Sequence, residues 1–131
     1  MAKSDARFSG TKLLVDDLDK TAAFYTAVCG LTEVGRVSSS ITGRAIEEIL
    51  FNFRGEGPPN FVLLKFVGAP KPSNDETINV FVTEDLAAFV ARATAHGGTL
   101  AQPVRAMPEH GVKVCFVTDV EGHLMEVVEL L

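Results

Sequence analysis

The chain has 131 residues, 47% of them hydrophobic, and carries a formal net charge of −5. These figures predict one compact domain with a sizeable core, and they argue against a nucleic-acid binder because no basic stripe is available to neutralise phosphates. No apolar run approaches membrane-spanning length, and residues 1–7 lack signal-peptide character. Since Cys29 and Cys115 both have apolar neighbours, we expect a cytoplasmic protein with two reduced thiols.

The sequence pattern of the first half of the chain predicts one helix and four strands. Residues 8–15 suit a strand, Asp17 can cap the helix that follows, and Gly30 supplies its left-handed end. The helical stripe expected to face the core comprises Leu18, Ala22, Tyr25 and Cys29. The other strands are predicted over residues 32–37, 46–53 and 61–67, with a long loop at 38–43.

The second half predicts the same order of elements after a proline-containing linker at residues 68–75. Residues 77–82 suit a strand, and Glu84 or Asp85 can cap a second helix that ends at Gly97-Gly98. The core-facing residues of this helix are predicted to be Leu86, Phe89, Val90 and Ala93. Its strands are predicted over residues 99–104, 112–118 and 124–130, with a long loop at 106–111 and a tight turn at 119–122.

The two halves repeat one pattern, because Val15-Asp16-Asp17-Leu18 is echoed by Val82-Thr83-Glu84-Asp85-Leu86, each at the start of a helix. Internal repetition outranks any single motif when a fold is inferred. We therefore predict a single α+β domain over residues 1–131, built from two tandem βαβββ modules. Module one covers about residues 7–67, the linker 68–75, and module two about residues 76–131. Each module is expected to form a curved open sheet, with a concave site between the two.

This pattern resembles the vicinal oxygen chelate superfamily, which includes glyoxalase I, extradiol dioxygenases, methylmalonyl-CoA epimerase and the fosfomycin- and bleomycin-resistance proteins. The resemblance is carried by Val15-Asp16-Asp17-Leu18-Asp19, Phe24-Tyr25, Gly30-Leu31 and the segment 116–126. That segment is similar to the family's F-x-x-D-P-x-G-x-x-x-E hairpin, with Val120 in place of proline. The resemblance implies a cup-shaped fold and a homodimer, across whose interface the cup can be completed. It fixes fold more than activity.

In metal-dependent members of that superfamily, a histidine on the first strand of each module and a glutamate or similar ligand on the last strand point into the cup. Counting from the matched residues places these positions at Gly10, Leu63, Thr77 and Glu126. Glu126 is the one good ligand, whereas a metal site needs three or more protein donors. A slip of one residue, to Thr11 or Ile78, does not restore the site. We therefore expect no cofactor. The alternative is a divalent metal held differently, by His110 or across a dimer.

Alternation along the strands predicts which side chains line the cup. The expected ligand-binding residues are Leu14, Leu63, Thr77, Asn79, Phe81, Cys115 and Leu124, and the expected catalytic candidates are Glu126, Lys12, Lys65 and His110. Our sharper hypothesis is that Lys12 or Lys65 places an ammonium group near Glu126. Such a pair could hold a carbonyl or carboxylate of a ligand, or act as general acid and base.

Structural interpretations stand beside these functional ones. Lys12 and Lys65 could extend to solvent, and Glu126 could bond to backbone or water. Cys115 lies in an ordinary strand, where an inert buried thiol is the common case. His110 lies in a loop expected at the rim of the cup, whereas His123 occupies a turn and is expected to face solvent.

The first functional hypothesis is a metal-independent protein of the bleomycin-resistance type that binds a small, partly apolar organic molecule. The second is an enzyme of the superfamily, a lyase, isomerase or dioxygenase, with either a non-standard metal site or metal-free acid–base chemistry by Glu126 and a lysine. A third is a regulatory partner protein. The sequence names no substrate.

Overall fold

The computed structural model describes residues 4–131, and its elements follow the predicted order of two βαβββ modules. Module one contains β1 (Thr11–Leu14), α1 (Leu18–Cys29), β2 (Thr32–Ile41), β3 (Arg44–Asn52) and β4 (Phe61–Phe66). Module two contains β5 (Asn79–Val82), α2 (Leu86–Ala95), β6 (Thr99–Met107), β7 (Val112–Thr118) and β8 (Leu124–Leu130), with a 3-10 turn at Pro108–His110. Neither helix in the described part of the chain is long and apolar enough to cross a membrane.

The helix ends form where local chemistry predicts them. The Asp17 carboxylate accepts a hydrogen bond from the Lys20 amide, and Gly30 closes α1 in the left-handed region with φ at 67°. Asp85 rather than Glu84 caps α2, since its carboxylate accepts from the Ala88 amide.

The loop expected at residues 38–43 is mostly strand. Ser38 pairs with Glu47 and Ser40 with Ala45, so β2 and β3 form a long hairpin that turns at Thr42 and Gly43, both with positive φ. Cross-strand pairing with β3 overrides the local preference of these residues.

Each module forms a four-stranded sheet in which the first strand lies parallel to the last. The orders are β1-β4-β3-β2 and β5-β8-β7-β6. Both helices and one face of each sheet contribute to a single hydrophobic core. Tyr25 of α1 joins the modules there, because its ring packs 4.9 Å from the ring of Phe61 and 6.2 Å from that of Phe81. The other face of each sheet points away from this shared core.

We call these outward surfaces the helix-free faces and define them by strand register. In module one the helix-free face carries Lys12, Leu14, Glu48, Val62 and Leu64. In module two it carries Val80, Val82, Phe116, Leu124 and Glu126.

Candidate functional site

The two modules share one strand register, and this register locates the candidate site. Lys12 lies beside Val62 in module one, and Val80 lies beside Glu126 in module two. Lys12 and Val80 each precede the capping aspartate of the following helix by five residues. Lys12 therefore corresponds to Val80, and Val62 corresponds to Glu126.

Strand register moves two of the four expected metal-ligand positions by one residue. Register places them at Gly10, Val62, Ile78 and Glu126, rather than at Leu63 and Thr77. Val82 lies three residues before its capping aspartate and Val15 only two, so matching these two valines placed the module-two position one residue early. A one-residue shift transfers a strand's side chains to the opposite face.

These four positions do not fit a divalent metal. Val62 and Ile78 have no donor atoms, and Gly10 has no side chain to offer. A Cβ added at Gly10 would lie 2.6 Å from the carbonyl oxygen of Asn60, so this position admits no side chain unless the backbone moves. Within residues 4–131, no group of three or more His, Cys, Asp or Glu side chains is placed to hold a metal ion.

The predicted lining residues divide between the two faces. Lys12, Leu14, Leu124 and Glu126 lie on the helix-free faces. The residues that alternate with these, namely Leu63, Lys65, Asn79, Phe81 and Cys115, lie on the helix-covered side. Among them Leu63 and Cys115 are fully buried in the shared core. Thr77 precedes β5 and is exposed.

Glu48 is a candidate that the sequence interpretation missed. Its carboxylate Oε2 lies 2.5 Å from Nζ of Lys12, and its side chain is only 7% exposed whereas that of Lys12 is half exposed. Leu64 lies beside both Glu48 and Leu14, so the ion pair is set in an apolar surface. The sequence did contain a signal for it, because Glu48 takes the same strand face as the apolar residues Ile46 and Leu50.

Neither lysine reaches Glu126 within one chain. Lys12 is paired with Glu48, and Nζ of Lys65 lies 2.5 Å from the backbone oxygen of Asp16 and 3.6 Å from its Oδ1. The predicted Lys–Glu126 pair is therefore wrong for the single chain, because β1 and β8 belong to different sheets. Glu126 is half-buried beside Val80 and Phe116, and its carboxylate forms no ion pair with any described residue.

A cleft of about 700 Å³ lies where module one meets β5. Three predicted ligand-binding residues, Thr77, Asn79 and Phe81, line it. Val80 and Val82 also line it and connect it with the helix-free face of module two. The cleft is large enough for a small organic molecule and is mostly apolar. His110 does not border it, since His110 is exposed in the 3-10 turn between β6 and β7.

His123 is buried, contrary to the expectation that it faces solvent. It is 5% exposed, and its ring contacts Asp119 of the same hairpin, whose carboxylate also accepts from the hydroxyl of Tyr25. Burial and the nearby charge of Asp119 raise the pKa of Tyr25 well above 10, so its hydroxyl remains a donor. The bond of His123 to the Leu14 backbone oxygen of β1 and its contact with Asp119 therefore override the usual exposure of a polar turn residue.

Comparisons with known proteins place residues 7–127 in the family model described as Glyoxalase/Bleomycin resistance protein/Dioxygenase superfamily. No curated protein matches the sequence. A glyoxalase family protein from Bacillus cereus is similar in structure, with 24% identity, a TM-score of 0.80, and coverage of 100% of this chain and 99% of that one. A domain from Frankia sp. EAN1pec, described as glyoxylase/bleomycin resistance protein/dioxygenase, shows 20% identity, a TM-score of 0.71 and coverage of 98% and 94%.

Glyoxalase I from Zea mays is also similar, with 18% identity and a TM-score of 0.74. The match covers 95% of this chain and 47% of the maize protein, so this chain spans about half of that protein's length. At these identities the structural similarities establish the fold and not an activity.

Proposed function

The chain belongs to the Glyoxalase/Bleomycin resistance protein/Dioxygenase superfamily, and we propose that it binds a small, partly apolar organic molecule without a metal ion. The observation that carries the proposal is the composition of the helix-free faces. On these faces the strands β1, β4, β5 and β8 are apolar apart from Lys12, which is paired with Glu48 of β3, and Glu126. Such surfaces, with a few placed polar groups, are typical of small-molecule sites.

Lys12 is the expected anchor of the ligand. Its ammonium group has three N–H donors, of which Glu48 takes one, and the half-exposed side chain leaves the others accessible. The ligand would place a carbonyl or carboxylate oxygen on Lys12 and its apolar part over Leu14 and Leu64.

We further propose that two copies of the chain assemble to complete the site. Val80 and Val82 are 59% and 68% exposed on the helix-free face of module two. Such exposure is unusual for two apolar residues that are neighbours on one face of a strand. Covering this face with module one of a second copy would bring Lys12 of one chain opposite Glu126 of the other. Sedimentation equilibrium with wild type and Val82→Lys tests this arrangement, because a charge at a buried contact would dissociate the dimer.

The first experiment is the metal content of tag-free protein, with thermal shifts against Zn, Ni, Mn, Fe(II) and Co(II). We expect no metal and no shift. A metal near one per site, with a raised melting temperature, would overturn the metal-independent site, since a ligand that binds the native state stabilises it by mass action.

The second experiment is a thermal-shift screen with small apolar carboxylates and ketones, using wild type and Lys12→Met. The matched control is Lys113→Met, which removes the lysine of another ion pair, with Glu129 at 3.2 Å, on the helix-covered side. Stabilisation that is lost in Lys12→Met and kept in Lys113→Met supports the proposal. Stabilisation that survives Lys12→Met, or none with any compound, contradicts it.

A metal-free enzyme of the same superfamily is the second candidate, favoured by the half-buried Glu126 carboxylate that has no ionic partner in the described chain. A lysine from a second copy could act with Glu126 as acid and base. Turnover of a bound compound that depends on pH and is lost in Glu126→Gln would identify the enzyme. Binding without turnover would support the binding protein and not the enzyme.

A further inference from the structure

The ring of His123 lies between two hydrogen-bond acceptors. Its Nδ1 is 2.9 Å from Oδ2 of Asp119, and its Nε2 is 3.0 Å from the backbone oxygen of Leu14. A carboxylate and a carbonyl can only accept, so each ring nitrogen needs a proton to form its bond. In a neutral imidazole one nitrogen would turn a lone pair toward an oxygen.

The proton does not belong on Asp119 instead. Its carboxylate already accepts from the Tyr25 hydroxyl at 2.8 Å, from the Glu121 amide at 2.8 Å and from the His123 amide at 3.0 Å. Burial alone would raise the pKa of Asp119, but the hydrogen bonds from His123 and Tyr25 and the charge of His123 bring it below its ordinary value. Burial alone would lower the pKa of His123, but its bond to Asp119 raises it.

The charged groups around this ring favour the same protonation state. Asp119 and Glu121 of the hairpin both contribute negative charge that raises the pKa of His123. Lys12 of β1 and Glu76, which precedes β5, border the small cleft next to the ring, and the positive charge of Lys12 is offset by its pairing with Glu48.

We infer that His123 is a doubly protonated imidazolium in the folded protein, and that it joins the two modules through a bond that is lost at alkaline pH. The bond links the residue before β8 to the last residue of β1, Leu14. These strands carry Glu126 and Lys12, so the charge state of His123 controls how firmly the two strands are held together. This inference does not depend on which molecule the helix-free faces bind.

Long-range proton–nitrogen NMR of uniformly ¹⁵N-labelled protein tests the protonation state directly. At pH 7.5 we expect both His123 ring nitrogens to show the shifts of protonated nitrogens, with a midpoint of titration above that of a peptide spanning residues 119–127. One nitrogen with the shift of an unprotonated ring, or a midpoint at or below that of the peptide, would overturn the inference. His123→Gln assigns the resonances.

Asp119→Asn provides the second test because it removes the charge and keeps the shape. We expect the midpoint of His123 to fall by at least one pH unit, a tenfold change in its proton affinity. An unchanged midpoint would contradict the inference. If this variant does not fold, the wild-type titration still decides.

Discussion

Lys12 and Glu48 form an ion pair on the helix-free face of module one, with Nζ 2.5 Å from Oε2. The pair crosses β4, since Lys12 lies beside Val62 and Glu48 beside Leu64. The Glu48 carboxylate is buried and the Lys12 side chain is half exposed. The N–H groups of Lys12 that Glu48 does not use are therefore accessible at the surface.

Substitution of Lys12 by methionine should destabilise the protein because it leaves Glu48 as a buried charge without a partner. Breaking a buried pair costs about 3 to 5 kcal/mol, and the half-exposed lysine reduces this to about 1 to 3 kcal/mol. Urea unfolding measures the change. The double variant Lys12→Met/Glu48→Met should recover most of the loss, since apolar replacement of a buried pair is often neutral. A double variant no more stable than the single one would show that Glu48 is not desolvated.

Tyr25→Phe should destabilise the junction between modules. Its hydroxyl donates to the buried Asp119 at 2.8 Å, and hydrogen bonds to charged groups contribute about 1.5 to 3 kcal/mol. Thr26→Ala, at the next and exposed position of α1, should leave stability nearly unchanged. Equal effects of the two variants, measured by urea unfolding, would exclude a specific role for the Tyr25–Asp119 bond.

Local chemistry made the helix ends predictable from sequence. Asp17 and Gly30 act on backbone groups within a few residues of themselves, so their roles could be inferred without knowing the fold. The repeat of two modules was predictable for the same reason, since each copy begins with the same cap pattern.

The candidate site was less predictable because it depends on register and on distant partners. Val82 was matched with Val15 although it corresponds to Leu14, and this shift of one residue placed the expected side chains of β5 on the opposite face. His123 contacts the backbone oxygen of Leu14, and its partner Asp119 accepts from Tyr25; both Leu14 and Tyr25 are distant along the chain. Nothing in the sequence around a polar turn reveals such partners.

Stability should depend on pH through Asp119 and His123. The folded pKa of Asp119 is lowered and that of His123 is raised, so their pair contributes most between about pH 3.9 and 6.5, the ordinary pKa values of the two side chains. The contribution is lost as pH falls through the folded pKa of Asp119 or rises through that of His123. Unfolding free energies of wild type and His123→Gln should therefore converge as pH rises from 6 to 10. A difference that grows over this range would indicate a neutral histidine.

Both thiols should be unreactive at neutral pH. Burial raises the pKa of Cys29 to about 12 and also raises the pKa of Cys115. Because the thiolate is the nucleophile, alkylation by iodoacetamide at pH 7.5 should be slow in the native protein and fast in urea. Rapid labelling of native Cys115, located by mass spectrometry, would reopen a nucleophilic role for that residue.

Any substitution of Gly10 should destabilise the protein, and this makes a metal ligand at that position unfavourable. It lies just before β1, at one of the four positions considered above for a metal, and a Cβ there would be 2.6 Å from the Asn60 oxygen. Gly10→Ala should therefore lower the melting temperature, because the backbone of β1 or of residue 60 must shift. Gly10→His should lower it as well and gain no affinity for Zn or Ni, since Val62 and Ile78 supply no further donors. A stable Gly10→His variant that binds one metal per chain would show that the segment can move and that a metal site is one substitution away.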